Sequence, residues 1–193
     1  MIKNKNDLQF YLEQDHKALM IYDLQKKPRP FYDEVWKFQI ALRKAEYATN
    51  CKPGIINLPY RLYRKFIFHR WSVKCNFSIP LNVFGPGLSI AHYGTIVVNS
   101  NAKVGKNCRI QEGVNIGASG GDKAPLIGDN VFIGSGAKLI GDISIADNIA
   151  IGAGAVVVKS FEEKGISVAG VPAKKVSNNG SEPFLAKGLR REL

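Results

Sequence analysis

Few side chains in this sequence could do acid–base or nucleophilic work, and the scarcity narrows the choice. There are three histidines, His16, His69 and His92, and three cysteines, Cys51, Cys75 and Cys108. An imidazole near neutral pH can take the proton of a hydroxyl while that oxygen attacks a carbonyl. The cysteines are odd in number and lack metal-ligand spacing. They predict reduced thiols in a cytoplasmic protein, with neither a disulfide framework nor a metal centre. His16 and His69 fall in stretches that read as helix and are expected to be ordinary packing or surface residues. His92 falls where the pattern of the chain has changed.

The chain has 193 residues, 45% of them hydrophobic and 22% charged. That balance suits one globular domain with a helical appendage and excludes a disordered or collagen-like chain. Apolar runs stay well short of the ~20 residues that span a bilayer, and no secretory leader is expected. Net charge is +11 and uneven: residues 1–75 hold 15 Lys and Arg against 7 Asp and Glu. Glycine runs the other way, since only Gly54 of the 19 glycines precedes residue 80.

Residues 1–76 therefore read as a helical region. Asp7 is expected to cap a helix reaching about Lys26, with Leu8, Tyr11, Leu12, Leu19 and Met20 on its apolar side. After the Lys-Pro-Arg-Pro breaker at 27–30, a second helix is expected over Tyr32 to Ala48, burying Val35, Trp36, Ile40, Leu42 and Tyr47. A third, about Leu58 to Lys74, mixes Arg61, Arg64, Lys65, Arg70 and Lys74 with aromatic residues. This basic-aromatic segment suggests peripheral contact with an anionic membrane face. No groove-reading motif accompanies it, so nucleic acid is not an expected partner.

Beyond residue 80 a period of six takes over. Aliphatic residues recur at Val98, Val104, Ile110 and Ile116, and again at Ile127, Ile133, Leu139, Ile145, Ile151 and Val157. Phe84, Ile90 and Ile96 keep the period but sit two residues out of phase. Six is not a helical period. It fits a short strand and a tight turn, three of which close a triangular coil whose aliphatic residues stack inward. Coils then pair through parallel hydrogen bonds. The phase breaks between Ile116 and Ile127, where Gly117-Ala118-Ser119-Gly120-Gly121-Asp122-Lys123-Ala124-Pro125 must leave the coil as a loop. Counted from Val98, His92 points inward; counted from Ile90, it points outward. Cys108, two before Ile110, reads as a small inward filler.

Several motifs resemble the serine acetyltransferase branch of the hexapeptide-repeat acyltransferases. They are Gly-Pro-Gly-Leu-Ser-Ile-Ala-His at 85–92, Ile96-Val97-Val98, Gly113-Val114-Asn115-Ile116-Gly117, Ile133-Gly134-Ser135-Gly136-Ala137-Lys138 and Ala169-Gly170-Val171-Pro172-Ala173-Lys174. The resemblance spans residues 77–177, leaving 178–193 as a tail. It implies a mainly β protein, a left-handed parallel β-helix behind an N-terminal α-helical region. It also implies acetyl-CoA as donor, no metal, and a homotrimer with sites between subunits. His92 falls on the family's catalytic histidine.

The acceptor side departs from the branch. Its carboxylate beside the histidine is Ala91 here, and the aspartate that orients the histidine is Phe77. The loop's Gly-Asp-Arg-His-Pro becomes Gly121-Asp122-Lys123-Ala124-Pro125, and the tail ends in Leu193 where the branch has the isoleucine that docks cysteine synthase. A zwitterionic amino acid needs a carboxylate and a cation, and Lys123 offers only a point charge. The expectation is an O-acetyltransferase acting on a sugar hydroxyl of a surface polysaccharide, in the cytoplasm near the inner membrane face. Serine O-acetyltransferase and a non-catalytic structural trimer are the alternatives. Glu112, Asn115, Asp122 and Lys123 are the acceptor candidates. For the donor the resemblance suggests small residues near Gly117, Ala118, Ala137 and Ala155, with Lys138, Lys174 and Lys175 toward its phosphates.

Overall fold

The computed structural model describes residues 1–19 and 25–186. Three helices precede the coil: α1 (Lys5–Ala18), α2 (Glu34–Cys51) and α3 (Leu58–Cys75). The cap of α1 is Asn4, not Asp7. The Asn4 side chain accepts the Asp7 N–H at 2.9 Å, and Asp7 reaches back to the Lys3 N–H at 2.8 Å, a reciprocal pair that fixes the helix start. The first helix stops at Ala18, well short of Lys26, and Met20 lies outside the described residues. The second begins at Glu34 and runs on to Cys51. It is buried on most sides: Trp36 and Leu42 go inward as expected, but so do Phe38, Ala41, Arg43, Ala45, Glu46 and Ala48. Val35, Ile40 and Tyr47 are only half-buried. A helix buried this widely sits between neighbours, here α1, α3 and the coil.

Fourteen short strands follow between Phe77 and Ser177 and form the three faces of a parallel β-helix. The first face holds β1 (Phe77–Ser78), β3 (Ile96–Val98), β6 (Asn115–Gly117), β9 (Lys138–Ile140) and β12 (Val156–Val157). The second holds β4 (Lys103–Val104), β7 (Leu126–Ile127) and β10 (Ser144–Ile145). The third holds β2 (Ser89–Ile90), β5 (Arg109–Ile110), β8 (Phe132–Ile133), β11 (Ala150–Ile151), β13 (Ser167–Ala169) and β14 (Lys174–Ser177). All pairs are parallel except β13 with β14, which turns back antiparallel at the end.

Every aliphatic residue of the period-six series is buried, and register stacks each on its counterpart one coil away: Val98 on Ile116 on Leu139 on Val157, and Ile90 on Ile110 on Ile133 on Ile151. A second inward position lies two residues before each of them. Ala102, Cys108, Val114, Val131, Ala137, Ile149 and Ala155 occupy it, all at 1% exposure or less. The turns are closed by asparagines in the left-handed region, Asn107, Asn130 and Asn148, with φ of 58°, 58° and 61°. Their side chains form a ladder along one corner, Asn107 donating to Asn130 at 2.9 Å and Asn130 to Asn148 at 3.0 Å. Coil spacing leaves no room at Gly105, where a Cβ would lie 2.7 Å from the Gly128 carbonyl.

The two-residue phase slip lies in the turn between β2 and β3. Ile90 and Val98 are both inward, so the extra residues fall within 91–95 and His92 is thrown outward, exposed. Gly94 makes this turn feasible: its φ is 144°, and its N–H donates to the Cys75 carbonyl at the end of α3, 3.1 Å away.

Candidate active site

His92 stands at the corner between the third and first faces. The register that pairs Ile90 with Ile110 and Ile110 with Ile133 sets His92, Glu112 and Ser135 in line, one per coil, each two residues past an inward isoleucine. The Gly94 turn lies against Glu112: a Cβ on Gly94 would sit 3.0 Å from the Glu112 Cβ. The Ser135 hydroxyl donates to Glu112 Oε1. That bond, joined by the residue's own backbone N–H and, more weakly, by His92, holds the Glu112 carboxyl below the usual carboxylate range, against the pull of desolvation. Oε2 is shielded from solvent and has no hydrogen-bond partner among the described residues. A carboxylate with one anchored and one open oxygen beside an exposed imidazole can balance the charge of an imidazolium as it forms. Ser135 was not among the candidates read from sequence, although it shares the phase of His92 and Glu112.

The two family carboxylate positions are apolar in the structure as well as in the sequence. Ala91 is half-buried, and Phe77 is buried with its ring edge-on to Phe38 at 4.9 Å. Asn115 and Lys138 face each other across β6 and β9 on the first face, and Lys138 Nζ donates to the Gly113 carbonyl at 2.6 Å. Gly117 ends β6 and Ala118 packs at the edge of the core. The loop that follows is exposed. Its Lys123 meets Asp142 at 2.7 Å, and the Asp122 carbonyl accepts from the Asn101 amide at 2.6 Å. Burial of Ala124 turns it away from any acceptor.

Several expected neighbours are not neighbours within one chain. Glu112 precedes β6 and the loop follows it, so the His92 corner and Lys123 lie at opposite ends of the first face. Lys174 and Lys175 sit on β14, five strand spacings from β2, roughly 24 Å at about 4.8 Å each. Lys175 is paired with Glu163 at 2.5 Å, while Lys174 is exposed. Ala137 and Ala155 were expected beside the donor as small residues. Both side chains fill the inside of the coil at 0% exposure. Their N–H and carbonyl groups are also committed, to Gly134, Asn115, Gly152 and Lys138. The expected tail contact at Leu193 lies outside the described residues.

The thiols are poor nucleophiles. Burial pushes Cys75 up to about 11 and Cys108 up to about 12, and Cys51 is raised too. Among the described residues no helix is long and apolar enough to cross a membrane.

Residues 124–159 match the family described as bacterial transferase hexapeptide (six repeats). Serine acetyltransferase from Mycobacterium tuberculosis is 38% identical over 107 residues, which are 54% of this chain and 46% of that protein. The matched stretch is under half the length of the curated relatives. Among solved structures, serine acetyltransferase from Neisseria gonorrhoeae superposes with a TM-score of 0.66 at 31% identity, covering 90% of this chain and 67% of that one. It has also been solved in complex with serine. The Brucella abortus enzyme in complex with coenzyme A gives a TM-score of 0.61 at 27% identity, covering 91% and 68%.

Proposed function

Because the chain belongs to the hexapeptide-repeat transferases, we propose that it transfers an acetyl group from acetyl-CoA to an acceptor hydroxyl, with His92 as general base. The observation that carries this reading is the exposed His92 in line with Glu112 and Ser135. His92 takes the hydroxyl proton as the oxygen attacks the thioester carbonyl, and Glu112 faces the resulting positive charge. Transfer is direct, since Cys75 and Cys108 are buried and held as thiols. A purely structural trimer would have no use for a solvent-shielded, unpaired carboxylate oxygen beside an exposed imidazole.

The names of the similar proteins favour serine as the acceptor over the sugar hydroxyl expected from sequence. A second reading, an uncharged acceptor such as a sugar, has its own support. Ala91, Phe77 and Ala124 supply no charge, and Lys123 is already engaged by Asp142. Serine carries an ammonium and a carboxylate, and each wants an opposite charge. The separation of Lys123 from the His92 corner supports a homotrimer in which a neighbour's loop, with Asp122 and Lys123, completes each site. The donor would extend along the coil from Gly117 and Ala118 toward Lys174. A cytoplasmic setting suits this donor and the unpaired thiols.

The deciding experiment follows free CoA thiol with acetyl-CoA and either L-serine or neutral sugars. Fast turnover of serine establishes the first reading. Turnover of sugars alone establishes the second, and no turnover with any hydroxyl acceptor overturns the proposal.

A further inference from the structure

Helix α3 is apolar on two sides, and among the described residues only one has a partner. Phe68 and Trp71 pack against the core, with Phe68 set 5.7 Å from the Phe38 ring. Leu58, Leu62, Phe66 and Val73 recur at helical spacing on the opposite side, where Leu62, Phe66 and Val73 are 56%, 57% and 67% exposed. Ile55 and Ile56, in the turn before the helix, extend the ridge and are almost wholly exposed. Lys65 and Arg70 flank it and form no ion pair among the described residues. No Asp or Glu occurs anywhere from Tyr47 to Gln111.

We propose that this ridge docks on an anionic lipid surface, with Ile55, Ile56, Leu62, Phe66 and Val73 entering the headgroup boundary and Lys65 and Arg70 on the phosphates. An apolar ridge between two cationic flanks matches the layering of a lipid interface. A two-fold contact with a second copy would instead set cationic flank against cationic flank, with no acidic residue in the segment to offset them; a three-fold contact would set the ridge on another surface of the neighbour, and the mass of the apolar variant separates that case. A nucleic acid would use the cations but leave the aliphatic ridge in water. The end of α3 carries the Cys75 carbonyl that holds the His92 turn, so docking would set that turn beside the lipid. The inference does not depend on which acceptor is used.

The test is co-sedimentation of the full chain with vesicles of phosphatidylcholine alone or mixed with phosphatidylglycerol, at low and moderate salt. Binding is expected only to the mixed vesicles and should weaken with salt. Lys65→Ala with Arg70→Ala should reduce it by about 30-fold, and Leu62→Ser with Phe66→Ser by at least about tenfold. Light scattering on the apolar pair supplies the second measurement. An unchanged mass supports lipid docking, whereas dissociation makes the ridge a subunit interface and overturns it. Absence of binding to mixed vesicles at low salt overturns it too, as does tighter binding to duplex DNA that the same cation variants abolish.

Discussion

His92→Ala is expected to lower kcat by about 10²–10⁴-fold, the usual contribution of a positioned general base. Affinity for CoA, measured by calorimetry, should stay the same, because the donor contacts proposed at Gly117, Ala118 and Lys174 are untouched. Folding should be unaffected as well. His92 is exposed on a turn held by the Gly94 N–H and not by its own side chain, and surface changes of that kind stay within about 0.5 kcal/mol. Loss of rate without loss of binding or stability therefore isolates the chemistry. Glu112→Gln should cause a smaller loss in kcat with little change in KM. It keeps the shape and the Ser135 contact but removes the charge that meets the imidazolium. An unchanged acetylation rate in His92→Ala would return the coil to the structural reading.

The direction of His92 shows where a repeat can and cannot be read. Period six is legible because each coil must stack an aliphatic residue on the last, so the pattern cannot drift. His92 lies in the one turn where two extra residues break the phase, and counting from either side gives opposite answers. Only the burial of both Ile90 and Val98 settles it. Ser135 was within reach, since it stands two past Ile133 as His92 stands two past Ile90. The same counting would have set Ala137 and Ala155 inside. They precede Leu139 and Val157 by two, as Cys108 precedes Ile110. A small residue reads equally as room for a ligand or as inward filler, and register decides between them.

The helical region was legible as helices but not as an assembly. Asp15, Arg43 and Glu46 look like solvated helix charges, because their partners are backbone groups on the coil many residues away. In the structure Arg43 is wholly buried and spends every donor. Its guanidinium bonds Asp15 through Nε at 2.7 Å and through a second nitrogen at 3.2 Å, Glu46 at 3.1 Å, the Phe84 carbonyl at 2.9 Å and the Gly85 carbonyl at 2.6 Å. Asp15 in turn accepts the N–H groups of Gly87 and Leu88, both at 2.9 Å. One side chain thus ties α1 and α2 to the first coil.

Arg43→Met should therefore destabilise the protein by about 3–5 kcal/mol in urea unfolding, since it strands two buried carboxylates and two carbonyls. That is a large part of a typical domain's total stability, roughly 5–15 kcal/mol. The loss should also depend on pH, with a definite sign. Burial pushes the Asp15 carboxyl up, and in the native protein Arg43 pulls against it. Without Arg43 only the Gly87 and Leu88 N–H groups oppose desolvation, the largest contribution, so the folded state holds the proton more tightly than the unfolded one. Such a group contributes stability below the ordinary carboxylate range and loses it as pH rises. The deficit of Arg43→Met should then be smallest in acid and grow toward neutral pH, and Asp15→Asn in the same background should flatten the trend. A deficit independent of pH would mean that packing around Tyr11, whose ring lies 4.8 Å from the guanidinium, matters more than the charge.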